Sequence, residues 1–192
     1  MNTPDLRRKK TYSALVRAFE ELMRKKDIDA LTVRELCQRA EIGRNTFYAN
    51  FEDKYAFFRY YISLKREMIE KRSSVSGDDF FMFRMRTLRE LFEYLRENRF
   101  IWEKNITSRS AWMLREMLKE SMKEPFIAEL DKLESQSGSK FRISKEVLAS
   151  FYASGILDVF TEALYNDRIP EDSVLKDLEQ ICSKLLTSDL LQ

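Results

Sequence analysis

Apolar residues at Leu15, Ala18, Phe19, Leu22 and Met23 recur at steps of three and four, so one stripe of an amphipathic helix is predicted from near Pro4, capped by Thr3, to about Lys26. After a short break the pattern resumes at Val33, Leu36, Cys37 and Ala40. Thr32 precedes it and Glu35 stands three residues on, the spacing of a capping box. Glu41-Ile42-Gly43 turns the chain, and Gly43 is expected to supply the backbone freedom of the bend. A third helix is predicted from Arg44 to about Asn50, anchored by Phe47 and Phe51 four residues apart. Asp53 then caps a fourth, carrying Tyr55, Phe58, Ile62 and Ile69 to about Arg72.

Beyond it, Ser73–Asp79 is short and polar and contains Gly77, which marks a boundary between lobes. Amphipathic helices follow from about Asp79 to Glu97 and from about Ser108 to Lys132, the latter interrupted or bent at Pro125. Ser144 caps a long helix to about Asn166. Pro170 opens the last, where Leu175, Leu178, Ile181, Cys182, Leu185 and Leu186 share one side. The expectation is an all-α chain of about nine helices and no strand. A three-helix N-terminal lobe over residues 1–54 is followed by a connecting helix 55–72 and a larger helical body over 73–192. With only 4 Gly and 3 Pro among 192 residues, few positions oppose that reading.

Charge changes the picture more than composition does. The net +2 divides into +6 over residues 1–72 and −4 over the remainder, so a polyanion would meet the first lobe. Cys37 and Cys182 both fall within apolar helical stripes, where they read as small buried hydrophobes. That usage suits a reducing, cytoplasmic compartment. No signal peptide is evident, and no apolar run is expected to approach a membrane span. With no histidine, the commonest general base and zinc ligand are missing. No phosphate loop assembles from Gly43, Gly77, Gly138 and Gly155. Catalysis, a metal site and a cofactor are therefore not expected.

The informative segment is Leu31–Lys54, LTVRELCQRAEIGRNTFYANFEDK. Its pattern is that of a helix-turn-helix, in which a scaffold helix packs across a second helix that enters a major groove. With Phe47 and Phe51 inward, Arg44, Asn45, Thr46, Tyr48 and Ala49 face outward. Arg pairs in bidentate fashion with guanine and Asn with adenine, so Arg44 and Asn45 are the candidate base readers. Thr32, Tyr48 and Lys54 are candidates for phosphate, and Arg34 suits either role. Arg7, Arg8, Lys9 and Lys10 would add salt-dependent attraction.

This segment resembles the DNA-binding domain of the TetR/AcrR family of transcription regulators. The resemblance rests on Thr32-Val33-Arg34-Glu35-Leu36, Ala40, Ile42-Gly43, Thr46-Phe47-Tyr48, Phe51 and Lys54, and covers about residues 8–56. It departs from the family at Asn50, where histidine is frequent, and at Ala49, where bulky or basic residues are. The resemblance implies a homodimer on a palindromic double-stranded operator, acting as a repressor that a small, apolar effector releases. The alternative is a coactivator of the same fold that docks to another regulator instead of reading DNA.

Phe83, Trp102, Trp112, Met113 and Met117 are candidates to line the effector pocket, or they simply fill the core. Phe151, Gly155, Val159, Leu178, Ile181 and Leu185 are candidates for a four-helix dimer interface, or they close the monomer's own core.

Overall fold

In a computed structural model of the chain, residues 3–75, 79–166 and 168–185 are described, apart from the side chains of residues 3–5 and 185. Among them are nine helices and no strand: α1 (Thr3–Met23), α2 (Val33–Arg39), α3 (Arg44–Tyr48), α4 (Lys54–Ser73), α5 (Phe80–Glu97), α6 (Arg99–Ile106), α7 (Ala111–Ser137), α8 (Lys145–Leu164) and α9 (Glu171–Leu185). The cap expected at Thr3, the middle of the 73–79 boundary, the side chain of Leu185 and the whole of Leu186 lie outside the described residues.

Most helix starts follow their local signals. Thr32 and Glu35 close the capping box. Asp53 Oδ1 accepts from Ala56 N at 2.7 Å, Asp79 Oδ1 from Met82 N at 2.8 Å and Ser144 Oγ from Val147 N at 3.3 Å. Each satisfies a helix N–H that has no intrahelical acceptor.

Two local expectations are corrected. The left-handed residue in the turn is Glu41, at φ 56, whereas Gly43 sits at φ −71 as the N-cap of α3. A Cβ on Gly43 would meet only Thr46 Oγ1, at 3.8 Å, so the bend does not require glycine there. Nor does Pro125 interrupt its helix, because α7 runs through it for 27 residues. Proline removes one helix hydrogen bond, but the complete burial of Phe126 and Leu130 offsets that cost. The extra helix is α6, which follows a break at Asn98.

The chain forms two compact units, residues 1–64 with 98–114, and residues 65–97 with 115–192. Residues 98–114, placed with the second body in the sequence reading, thus group with the first unit. In that unit Phe19 lies against Phe57, Phe58 and Tyr61, with ring centroids 5.6, 5.7 and 4.8 Å away. All four rings are fully buried. The α6 helix closes the cluster with Trp102, edge-on to Phe58 at 5.9 Å.

Its Asn105 is buried, and the side-chain Oδ1 accepts from Ile28 N at 2.9 Å while Nδ2 donates to the carbonyl of Ile101. Lys104 Nζ donates to Arg24 O at 2.9 Å. The loop after α1 is therefore held through residues some eighty positions away.

The second unit is built on α8, which packs with α9 and α5. Phe92 meets Phe160 at 5.0 Å, and Phe126 stacks on Tyr152 at 4.4 Å. Cys37 and Cys182 are both buried free thiols. Burial raises both pKa values, that of Cys182 to about 11.

The expectation that no apolar run approaches a membrane span is also corrected. Lys145–Leu164 is 20 residues long with a mean hydropathy of 1.4, enough to cross a membrane by length and composition. Half of that stretch is buried inside the chain, which is how a core helix passes the same test.

Replacing Asn105 with Ala strands the buried Ile28 N–H. Asn105→Ala is expected to lower stability by about 1–3 kcal/mol in urea unfolding, the cost of an unpaired buried donor. An unchanged unfolding midpoint would show that the N–H finds water instead.

Candidate nucleic-acid interface

The α2–turn–α3 segment is positioned by rings. Phe47 is fully buried and Phe51 nearly so. Their centroids lie 5.5 Å apart, and Phe51 meets Phe57 at 5.2 Å. With position 47 pulled inward, helical geometry turns its neighbours out. Arg44, Asn45, Thr46, Tyr48, Ala49 and Asn50 are all exposed, and Tyr48 keeps 55% of its surface in solvent. Among the described residues the side chains of Arg44, Asn45, Thr46 and Tyr48 have no hydrogen-bond partner. They present a guanidinium, an amide and two hydroxyls along one short helix, the donor and acceptor types that read base edges and hold phosphates. Arg34 is likewise exposed on α2.

Thr32 and Lys54 are differently engaged from what a free phosphate ligand requires. The Thr32 hydroxyl donates to Glu35 Oε2 at 2.8 Å and accepts from Glu35 N at 3.2 Å. Its proton is therefore spent on the cap. Lys54 Nζ donates to Asp29 O at 3.0 Å and Leu31 O at 2.9 Å. An ammonium has three donors, so one is left after the loop before α2 has been tied to the start of α4.

Asn50 is also committed. Its Nδ2 donates to Thr46 O at 2.7 Å, and its Oδ1 accepts from Tyr12 OH at 3.2 Å. Tyr12 OH in turn accepts from Arg8 Nε at 3.0 Å. The departure from the family at this position thus fastens α3 to α1.

A second network was not legible in the sequence. Asp29 Oδ2 accepts from Ser110 N at 3.0 Å, and Oδ1 accepts from the Ser110 hydroxyl and, at 3.4 Å, from Tyr55 OH. The Ser110 hydrogen bond is the main reason the Asp29 carboxyl titrates below its ordinary value. On the other side of the loop, Lys26 Nζ meets Glu35 Oε1 at 2.5 Å. The Lys26 bond comes first, with the Thr32 hydroxyl and backbone N–H behind it, in holding the Glu35 carboxyl at about 2 against an ordinary 4.5.

The residues expected to line a pocket fall in both units. Trp102 and Met113 belong to the first unit, as does Trp112, which is 74% exposed at the start of α7; Phe83 and Met117 belong to the second. The interface candidates divide as well. Phe151 (62%) and Ile181 (51%) stand in solvent, Gly155 is exposed and Val159 half-buried. Leu178 is buried in the chain's own core.

Residues 15–61 match the model of a family described as bacterial regulatory proteins, tetR family. No curated protein matches the chain. Among solved structures, a putative TetR-family transcriptional regulator from Syntrophomonas wolfei shares the fold at TM-score 0.71, with 13% identity over 94% of this chain and 97% of its own. The fatty acid degradation regulator FadR of Bacillus halodurans aligns at TM-score 0.61, with 14% identity over 88% of this chain and 93% of its own. The dihydroxyacetone kinase operon activator DhaS aligns at TM-score 0.58, with 19% identity over 94% and 96%. The fold is therefore that of TetR-family transcription regulators, with the helix-turn-helix at its N-terminal end.

Because folding depresses the Glu35 pKa, its contribution to stability is complete above about pH 4.5 and is lost as pH falls towards about 2. The melting temperature of Glu35→Gln should therefore lie below that of the parent at neutral pH, and the gap should close across that window. A gap that stays constant down to pH 2 contradicts the assignment.

Proposed function

We propose that the chain is a DNA-binding transcription regulator that acts as a homodimer on a palindromic operator. The observation that carries the reading is α3 itself, whose inward ring leaves Arg44, Asn45, Thr46 and Tyr48 exposed and, among the described residues, without side-chain hydrogen bonds. In this reading Arg44 and Asn45 read base edges and Thr46 supports them. Tyr48, the remaining N–H of Lys54, and Arg34 hold phosphates. The basic run Arg7–Lys10 adds a salt-dependent contribution. Thr32 acts through its cap, by setting the start of α2.

The dimer rests on α8 and α9. Val147, Phe151 and Gly155 lie four apart on α8, all exposed, and Ile181 is exposed on α9. Nothing lies within 4 Å of a Cβ placed on Gly155, so the monomer does not require glycine there, whereas a second helix approaching closely would. The most apolar helix of the chain thus leaves an apolar stripe for a second copy.

Repression with release by a small molecule is the mode that the family resemblance supports, in the cytoplasm where the DNA lies. The DhaS neighbour is named an activator, so the sign of regulation is a separate question from DNA binding.

Selection from a random DNA pool with the purified chain is expected to enrich a palindrome. On that site Arg44→Ala should cost about 1–3 kcal/mol against the preferred base and little against others, while Tyr48→Ala should weaken all sequences alike. Folded protein that enriches nothing would instead favour a coactivator that docks to another regulator. Phe151→Glu is expected to sediment as a monomer at micromolar concentration, where the parent sediments as a dimer. A monomeric parent that still binds the palindrome would remove the dimer from the proposal.

A further inference from the structure

A cleft of ≈ 470 Å³ opens in the second unit between the start of α5 and the C-terminal half of α7. That is within the range of about 300–1,000 Å³ typical of small-molecule sites. Phe80, Phe83 and Leu133 form its apolar wall, and Asp79, Glu129 and Lys132 supply charge.

What distinguishes the cleft is the ion pair behind it. The Arg84 side chain is almost fully buried, with its guanidinium carbon 5.9, 5.4 and 5.2 Å from the ring centroids of Phe80, Phe83 and Phe126. Arg84 Nε donates to Glu129 Oε2 at 2.6 Å, and a second guanidinium nitrogen donates to the same oxygen. Glu129 Oε1 has no partner among the described residues. The guanidinium therefore holds one oxygen of a carboxylate that also lines the cleft.

A buried ion pair stabilises a fold no better than well-packed apolar side chains do. A carboxylate locked in place at the wall of a cleft gives this one a use. An anionic ligand would face Glu129 and Asp79 and would find Arg84 already occupied behind Glu129. Lys132 is exposed, and its flexible stem lets the ammonium turn to water. A cation meets the opposite field, with Glu129 Oε1 as acceptor, Asp79 beside it, and the ring faces of Phe80 and Phe83 to receive positive charge.

We infer that this cleft binds a small organic amine, protonated at its nitrogen and apolar in its body. As the effector site of the chain, it rests on the regulator reading above; as a binding site, it stands without it.

Calorimetric titration of the full chain with octylammonium and, separately, with octanoate tests the inference. Octylammonium is expected to bind saturably and octanoate not to bind. Phe83→Ala should weaken the amine roughly 3- to 30-fold, the range of a desolvated cation–ring contact, and Lys132→Glu should tighten it. Glu129→Gln should abolish it; because that variant leaves Arg84 unpaired and is prone to unfold, Phe83→Ala and Lys132→Glu carry the test. Preferential binding of octanoate, or amine affinity unchanged in both variants, overturns the inference. If the chain enriches a palindrome but binds no amine, the cleft assignment fails and the regulator reading stands. If it binds the amine but enriches no DNA, the site stands and its effector role falls.

Discussion

A helix of five residues has no stability of its own, since nucleating a helix costs more than so few hydrogen bonds return. The α3 helix spans only Arg44–Tyr48 and exists because Phe47 is driven into the first unit. Burying such a side chain contributes about 1.5–3 kcal/mol, and Phe51 and Phe57, with ring centroids 5.5 and 6.3 Å from Phe47, complete the socket. Once position 47 is pinned, the direction of every other α3 side chain is set by the 3.6-residue turn. The polar face that α3 presents to solvent is thus a consequence of one buried ring, and it costs α3 no apolar surface that it needs for folding.

The turn before α3 answers to the same constraint. Swinging the chain from α2 into α3 within four residues requires a left-handed residue, and Glu41 takes that conformation although it carries a side chain. This costs about 1–2 kcal/mol. Cys37 O accepts from Ile42 N at 3.0 Å, and the burial of Cys37 and Ala40 just before the bend offsets the strain. Polar side chains then hold the loop before α2. Lys54 and Asn105 bond to its backbone, Ser110 to Asp29, and Lys26 to Glu35 of the cap. These bonds replace water around backbone groups that would otherwise be buried unpaired.

In the second unit α8 carries apolar side chains on its outer side as well as on its buried one. Leu148, Tyr152, Ile156 and Phe160 are buried on one side, while Val147 and Phe151 face out among them. Exposed apolar side chains grouped in this way are of the kind that interaction surfaces use. The buried Arg84–Glu129 pair is the polar counterpart, a charge taken out of water and answered by one carboxylate oxygen and the rings around it.

Much of this was determined by the sequence alone, because the relevant forces act over a few residues. The apolar steps of α1, the capping box at Thr32, the caps at Asp53 and Ser144, and the inward pair Phe47/Phe51 all depend on neighbours within one or two turns. The all-helical class and the outward set on α3 followed from them. Gly43 misled because glycine permits a left-handed turn without requiring one, and Pro125 because its local cost is offset by rings that only the folded chain brings together. Tertiary structure alone decided that residues 98–114 join the first unit, that Trp112 stands in solvent while Leu178 is buried, and that Asn50 and two of the three donors of Lys54 are bonded internally. Asp29 and Ser110, like Arg84 and Glu129, meet across 81 and 45 residues, and no periodicity encodes a contact at that range.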